Sequence, residues 1–230
     1  MNISSLFAHG WLGIILSTSF TSKIILLILF TLLVCCLAML INRYFILREH
    51  LRHANAATDE LKNAKTLDDV LQLGLTFRGS FPGVIIKKMT HQVKDLLESK
   101  KNNSCIVLCS DDFASINQRM EYTLNDLIQE AEEYIPVFSV SVSISPLLGL
   151  LGTVLGLINA FMSMGTLQAV TIATIAPGVA EALVTTFAGL FVAIFALAIF
   201  YYLQSKIKQL ERALCLFTDD LEILIKRILS

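Results

Sequence analysis

With 230 residues, 55% of them hydrophobic and 16% charged, and a mean hydropathy of +0.68, the chain is too apolar for an ordinary soluble domain and reads as a polytopic membrane protein. A net charge of −1 and a pI near 6.4 give no basic field of the kind that attracts nucleic acid, which excludes that class of partner.

Residues 1–22 contain no Lys, Arg, Asp or Glu, so the basic n-region of a cleavable signal is missing and the segment is expected to be retained. Its stretch LFAHGWLGIILSTSF, with Trp11, suits a short periplasmic or interfacial helix, with a disordered lead-in as the alternative. The first transmembrane helix is placed at 23–41, because Ile24 to Ile41 carries no charge and is bracketed by Lys23 and Arg43.

Residues 42–136 read as a mostly helical cytoplasmic domain, interrupted by FRGSFPG (77–83) and KKNNS (100–104). Ser110, followed by Asp111 and Asp112, is a helix start with a capping hydroxyl and acids in the first turn. From there Phe113, Ile116, Met120, Leu124, Leu127, Ala131 and Tyr134 recur at steps of three and four, marking a helix that bends at Pro136. The five cysteines form no CxxC pair, so neither a disulfide framework nor a metal site is expected, and CIVLC (105–109) reads as ordinary small apolar residues.

After Glu133 no charged residue appears until Glu181, and then none until Lys206. GTLQAVT splits this stretch into a second transmembrane helix at 137–164, a periplasmic link at 165–170 and a third helix at 171–203. The tail, 204–230, carries Ile207, Leu210, Leu214, Phe217, Leu221, Leu224 and Ile228 at alternating steps of three and four, a 3.5-residue seam. That seam either packs within one subunit or joins subunits as a coiled coil. Arg43, Arg48 and Arg52 after the first span, and Lys206, Lys208 and Arg212 after the third, put the middle segment and the tail in the cytoplasm. The expected fold is all-α: a polytopic membrane protein with three transmembrane helices, two of them long and extending into a cytoplasmic helical bundle.

Both long spans carry small residues at helical spacing. Gly152, Gly156 and Ala160 lie in one row beside Ser145, Gly149 and Thr153, and Gly178, Ala182, Gly189, Ala193 and Ala196 form a similar surface on the third span. In lipid, where helices gain nothing by hiding apolar surface, such rows drive association by close backbone approach, so a packed and oligomeric bundle is expected. Pro177 either opens the third helix, with Thr174 as cap, or sits within a helix that begins near Thr171 and loosens its first turns.

Glu181 is the functional candidate. An ionised acid at the centre of a membrane helix costs roughly 2.5–3.5 kcal/mol, so it is expected to face protein or water, or to be protonated. A membrane potential of 100 mV supplies about 2.3 kcal/mol per proton, a comparable quantity, so an ion gradient can drive the titration of such a group. Thr185 and Thr186 on the same helix, and Thr153 on the second span, are hydroxyls able to orient water or a proton carrier. The structural alternatives are that Glu181 is hydrogen-bonded glue and that the threonines bond back to carbonyls one turn earlier. One carboxyl cannot relay a proton across ~30 Å of hydrocarbon, and no second ionisable group lies at that depth, which points to a partner chain.

The stretches ISPLLGLLGTVLGLINAF (144–161) and IAPGVAEALVTTFAGLFVAI (175–194) resemble the paired signatures of the TolQ/ExbB family, more distantly related to the flagellar stator protein MotA. The resemblance implies that Glu181 is the channel glutamate, with Thr186 and Thr153 beside it on the proton pathway. It further implies an inner-membrane homopentamer around single-span TolR/ExbD-like subunits that carry a membrane aspartate. Proton flow would turn one component within the other, and a TolA/TonB-like protein would pass the motion to the outer membrane. The chain departs from the family pattern at Leu155, where a tryptophan usually stands, and at Phe195, where a proline usually stands. Length and span count disfavour MotA and lean to TolQ over ExbB. The readings from other classes are a non-conducting membrane scaffold in which Glu181 is structural, and a solute carrier, for which three spans without an inverted repeat leave little room. No Cys/His, Ser/His or phosphate-loop arrangement suggests an enzyme, a cofactor or a metal.

Overall fold

The computed structural model describes residues 19–64, 66–102, 110–164 and 172–229. The expected N-terminal helix around Trp11, the CIVLC stretch and the 165–170 link lie outside the described residues. Within them the protein is all-helical and without strands: α1 (Phe20–Leu61), α2 (Leu67–Thr76), α3 (Phe81–Asn102), α4 (Ser110–Glu132), α5 (Ile135–Met164) and α6 (Ile172–Leu229). Three of these, α1, α5 and α6, are long and apolar enough to cross a membrane.

The chain divides into two compact units. The first comprises the described part of Met1–Ile41 together with Ile135–Tyr202. Its apolar centre joins all three spanning helices: Ile25 and Leu29 of α1 and Val192 of α6 are buried, with Leu148 and Leu155 of α5 packed against them. The outward faces stay apolar, as at Leu27, Phe30, Leu147, Phe161 and Ile194, which suits contact with acyl chains.

A serine run opens α5. Ser141, Ser143 and Ser145 each donate their hydroxyl to the carbonyl four residues back, at 2.8, 3.1 and 2.6 Å, so these side chains are satisfied inside their own helix. The bend expected at Pro136 is a break just before it: α4 ends at Glu132, and Pro136 sits in the first turn of α5, where a missing amide hydrogen costs nothing. Pro146 lies within α5, and Pro177 lies within α6, which begins at Ile172. Of the two arrangements the sequence left open for Pro177, the protein takes the continuous helix.

The second unit comprises Asn42–Tyr134 and the described part of Leu203–Ser230. Here α2 packs on α3 and α3 on α4. Thr66 opens α2 with a reciprocal cap: its hydroxyl accepts from the Asp69 amide at 3.3 Å, and the Asp69 carboxylate accepts from the Thr66 amide at 2.9 Å. Thr66→Ala should therefore cost about 1 kcal/mol. Amide exchange at Asp69 and Val70 should accelerate, and unchanged exchange there would show that the cap does not hold this turn.

FRGSFPG interrupts the chain only as far as Ser80. Gly79 adopts φ 88°, the Ser80 hydroxyl donates to the Phe77 carbonyl at 2.7 Å, and Phe81 begins α3 with Pro82 in its first turn. α3 then continues to Asn102, so the polar run after Ser99 does not break it before that point. α4 is described from Ser110 onward, and Ile116, Met120, Leu127 and Ala131 of the expected stripe are buried. Tyr134 falls beyond the helix and lies beneath the Arg43 guanidinium, 3.6 Å from ring centroid to Cζ.

α6 runs unbroken for 58 residues, about 87 Å at 1.5 Å per residue. Leu210, Leu214, Phe217 and Leu221 are wholly buried and Ile207 and Leu224 nearly so, all within the one chain. The seam is thus filled from inside the subunit. Asn117 of α4 donates to the Glu222 carboxylate of α6 at 2.8 Å, and Lys226 pairs with the same carboxylate. Burial pushes the Glu222 carboxyl up, but the hydrogen bonds from Lys226 and Asn117 outweigh it and hold the group below the ordinary carboxylate range.

Candidate functional site

α5 and α6 touch through their small residues. A Cβ added at Gly149 would lie 3.1 Å from the Thr186 Cα, one at Gly156 3.0 Å from the Ala182 Cβ, and one at Gly178 2.7 Å from the Ala160 Cβ. At Gly189 it would lie 2.6 Å from the Ser145 carbonyl oxygen, and at Gly152 it would lie 2.4 Å from the Thr185 hydroxyl oxygen. Gly149, Gly152, Gly156 and Ala160 therefore face Gly178, Ala182 and Gly189 at backbone distance, the approach that small residues permit.

This closeness decides where the hydroxyls go. Thr186 donates across the interface to the Gly149 backbone carbonyl at 2.9 Å, which the close approach of the two helices at that glycine brings within reach. Thr185, fully buried, donates instead to Ala182 of its own helix at 2.7 Å, and Thr153 donates to Leu150 at 2.7 Å. None of the three hydroxyls bonds to Glu181.

Glu181 stands one turn beyond Pro177, half-buried. Ser19, the residue immediately before α1, gives its Oε1 two hydrogen bonds, from the backbone amide at 2.9 Å and from the hydroxyl at 2.7 Å. The N-terminus of α1 is thus turned on the carboxylate. Asn159 of α5 completes the cluster, its Nδ2 donating at 3.5 Å to the Ser19 hydroxyl and at 3.4 Å to the Thr21 hydroxyl. Residues from all three spanning helices thus join one hydrogen-bonded cluster, in which Asn159 reaches the carboxylate through Ser19.

Ser19 and Asn159 are absent from the sequence-derived candidates. Each carried a signal: a hydroxyl residue placed directly before an apolar run is a helix cap, and a lone amide in a spanning helix calls for a partner. Of the two departures from the family pattern, Leu155 packs against the Ile25, Leu29 and Val192 cluster. Phe195 packs against Phe191 with centroids 4.6 Å apart and ring planes tilted by 53°, on a partly exposed aromatic row, and α6 passes it without a break.

Residues 88–214 match the family model described as the MotA/TolQ/ExbB proton channel family. The chain belongs to that family. The matched region contains all of α4 and α5 and the part of α6 that carries Glu181. Among its relatives, the Tol-Pal system protein TolQ of Haemophilus influenzae is 26% identical over 225 residues, 95% of this chain and 94% of the relative. TolQ of Pseudomonas aeruginosa is 36% identical over 99 residues, 43% of each chain. The biopolymer transport protein ExbB of Salmonella typhimurium is 29% identical over 145 residues, covering 61% of this chain and 55% of that protein. The family's signature stretches, 144–161 and 175–194, are the two helix faces that meet at the glycines.

Proposed function

We propose that this chain is a proton-conducting stator subunit of an inner-membrane motor that uses the proton motive force to energise outer-membrane processes. Glu181 is the group that takes up and releases the proton. The observation that carries this is the isolation of Glu181: it is the one charged residue between Glu133 and Lys206, held at a point where three spanning helices meet. An acid in that setting is costly unless it is used. The end-to-end match to a Tol-Pal TolQ, set against the partial match to ExbB, supports envelope maintenance over nutrient uptake as the task.

The remaining parts are those that membership of the family implies. A second carboxylate must come from a single-span partner of the TolR/ExbD type, and the chain assembles as a homopentamer around it. A TolA/TonB-like protein carries the motion outward. Residues 42–136 and 204–230 lie on the cytoplasmic side and the N-terminus on the periplasmic side.

The test is Glu181→Gln in membrane vesicles energised by a pH gradient. Glutamine keeps an oxygen that can accept both Ser19 bonds, so insertion and the detergent-stable oligomer should persist while gradient-driven proton uptake falls to the level of empty vesicles. Undiminished uptake would overturn the proposal. A lost oligomer would instead favour a structural scaffold, a reading with its own support in the way Glu181 ties α1 to α6.

A further inference from the structure

We propose that Ser19 is a positioning residue for the proton step: from the start of the first span it holds Oε1 of Glu181 and thereby assigns proton uptake to Oε2. This rests on the proton-carrying role of Glu181. Both hydrogen bonds to the carboxylate fall on Oε1, and among the described residues Oε2 receives none. One oxygen is therefore occupied by donors and closed to an incoming proton, while the other keeps its lone pairs.

Asn159 supports the hydroxyl from the other side, its amide donating to the Ser19 oxygen at 3.5 Å. Of the acceptors within reach of the hydroxyl's single hydrogen, Glu181 Oε1 at 2.7 Å is the nearest, ahead of Thr21 Oγ1 at 3.0 Å and Ser22 Oγ at 3.4 Å. The Ser19 amide is fixed more firmly still: the Ser19 carbonyl accepts from the Lys23 amide at 3.1 Å, which makes this residue part of the first turn of α1. Span 1 thus acts on the proton carrier through its terminal residue.

The step balances simply. A hydronium ion in periplasmic water gives its proton to Oε2, leaving water and a neutral carboxylic acid; the same O–H bond later breaks as the proton passes to a carboxylate of a partner chain. Neutralising Glu181 converts two charge-assisted hydrogen bonds into ordinary ones, about half as strong. Each protonation therefore loosens the hold of α6 on the end of α1, and each release restores it.

Ser19→Ala removes one of the two donors, and Ser19→Thr keeps the hydroxyl. Both are tested in the full chain with its partner in vesicles. Two quantities are read on each variant: the infrared carboxylate bands of Glu181, assigned by their loss in Glu181→Gln, and the rate of proton uptake. In Ser19→Ala the bands should shift and steady proton uptake should fall roughly tenfold, because losing one charged hydrogen bond favours the protonated acid and slows its release in each cycle, with the oligomer intact. Ser19→Thr should restore both, and Asn159→Leu should reproduce part of the band shift. An unshifted band in Ser19→Ala, or a threonine variant as slow as alanine, would overturn the role of Ser19. Should Glu181→Gln itself conduct, the proton reading fails, and the infrared shift still tells whether Ser19 holds the carboxylate.

Discussion

Gly189→Ala should separate the two long spanning helices and strongly destabilise the subunit, although it adds only one methyl group. That methyl would lie 2.6 Å from the Ser145 carbonyl oxygen, 2.9 Å from the Gly149 Cα and 3.1 Å from its amide nitrogen. All three are backbone atoms of a helix, so no rotamer change relieves the contact. Overpacking a close-packed interior typically costs ~1–3 kcal/mol, and a contact against backbone belongs at the upper end or beyond. Retreat of α5 would also break the bond from Thr186 to the Gly149 carbonyl and leave a hydroxyl unpaired away from water.

Gly156→Ala provides the comparison. Its contacts are looser, Ala182 Cβ at 3.0 Å, Cα at 3.2 Å and N at 3.4 Å, so a shift between the helices of a few tenths of an ångström relieves them. Thermal unfolding of the purified protein in mild detergent should accordingly show a large drop in midpoint for Gly189→Ala and a small one for Gly156→Ala. Equal midpoints for the two variants and the parent would mean that α5 and α6 do not meet at these glycines in the membrane.

The three spans, the rows of small residues and the isolated acid were legible because each is a local property: a run of hydropathy, a spacing of four, a charge among apolar neighbours. The capping box of α2 was passed over although Thr66 and Asp69 stand three apart, because an Asp at that position is a weaker signal than Glu or Gln. The surroundings of Glu181 were not legible for a different reason. Ser19 is 162 residues away in sequence, and no periodicity links a cap at the start of one helix to a carboxylate in the middle of another. The threonines sit at the right depth by spacing, but spacing does not say whether a hydroxyl reaches a neighbour or bonds back to its own helix. Thr186 crosses to Gly149, and Thr153 and Thr185 do not cross at all. The seam on α6 posed the same ambiguity at larger scale, since a 3.5-residue repeat fits a partner in the same chain as well as one in another.

Phe217→Ala distinguishes those two partners. Phe217 is wholly buried within the chain, stacked in sequence with Leu210, Leu214 and Leu221, which are equally buried, so truncation should leave a cavity and cost ~3–5 kcal/mol in the second unit. Its neighbour Leu216 points the other way and is 62% exposed, and Leu216→Ala should change the stability of the unit by no more than ~0.5 kcal/mol. Limited proteolysis of the segments around α2, α3 and α4 reads the difference: Phe217→Ala should be cut many times faster, Leu216→Ala at the parental rate. The effect of Phe217→Ala should also be independent of protein concentration, because the contacts it removes lie inside one subunit. A loss that disappears at high concentration, where assembly is forced, would place the seam between subunits and assign α6 to oligomer contacts rather than to the core it fills here.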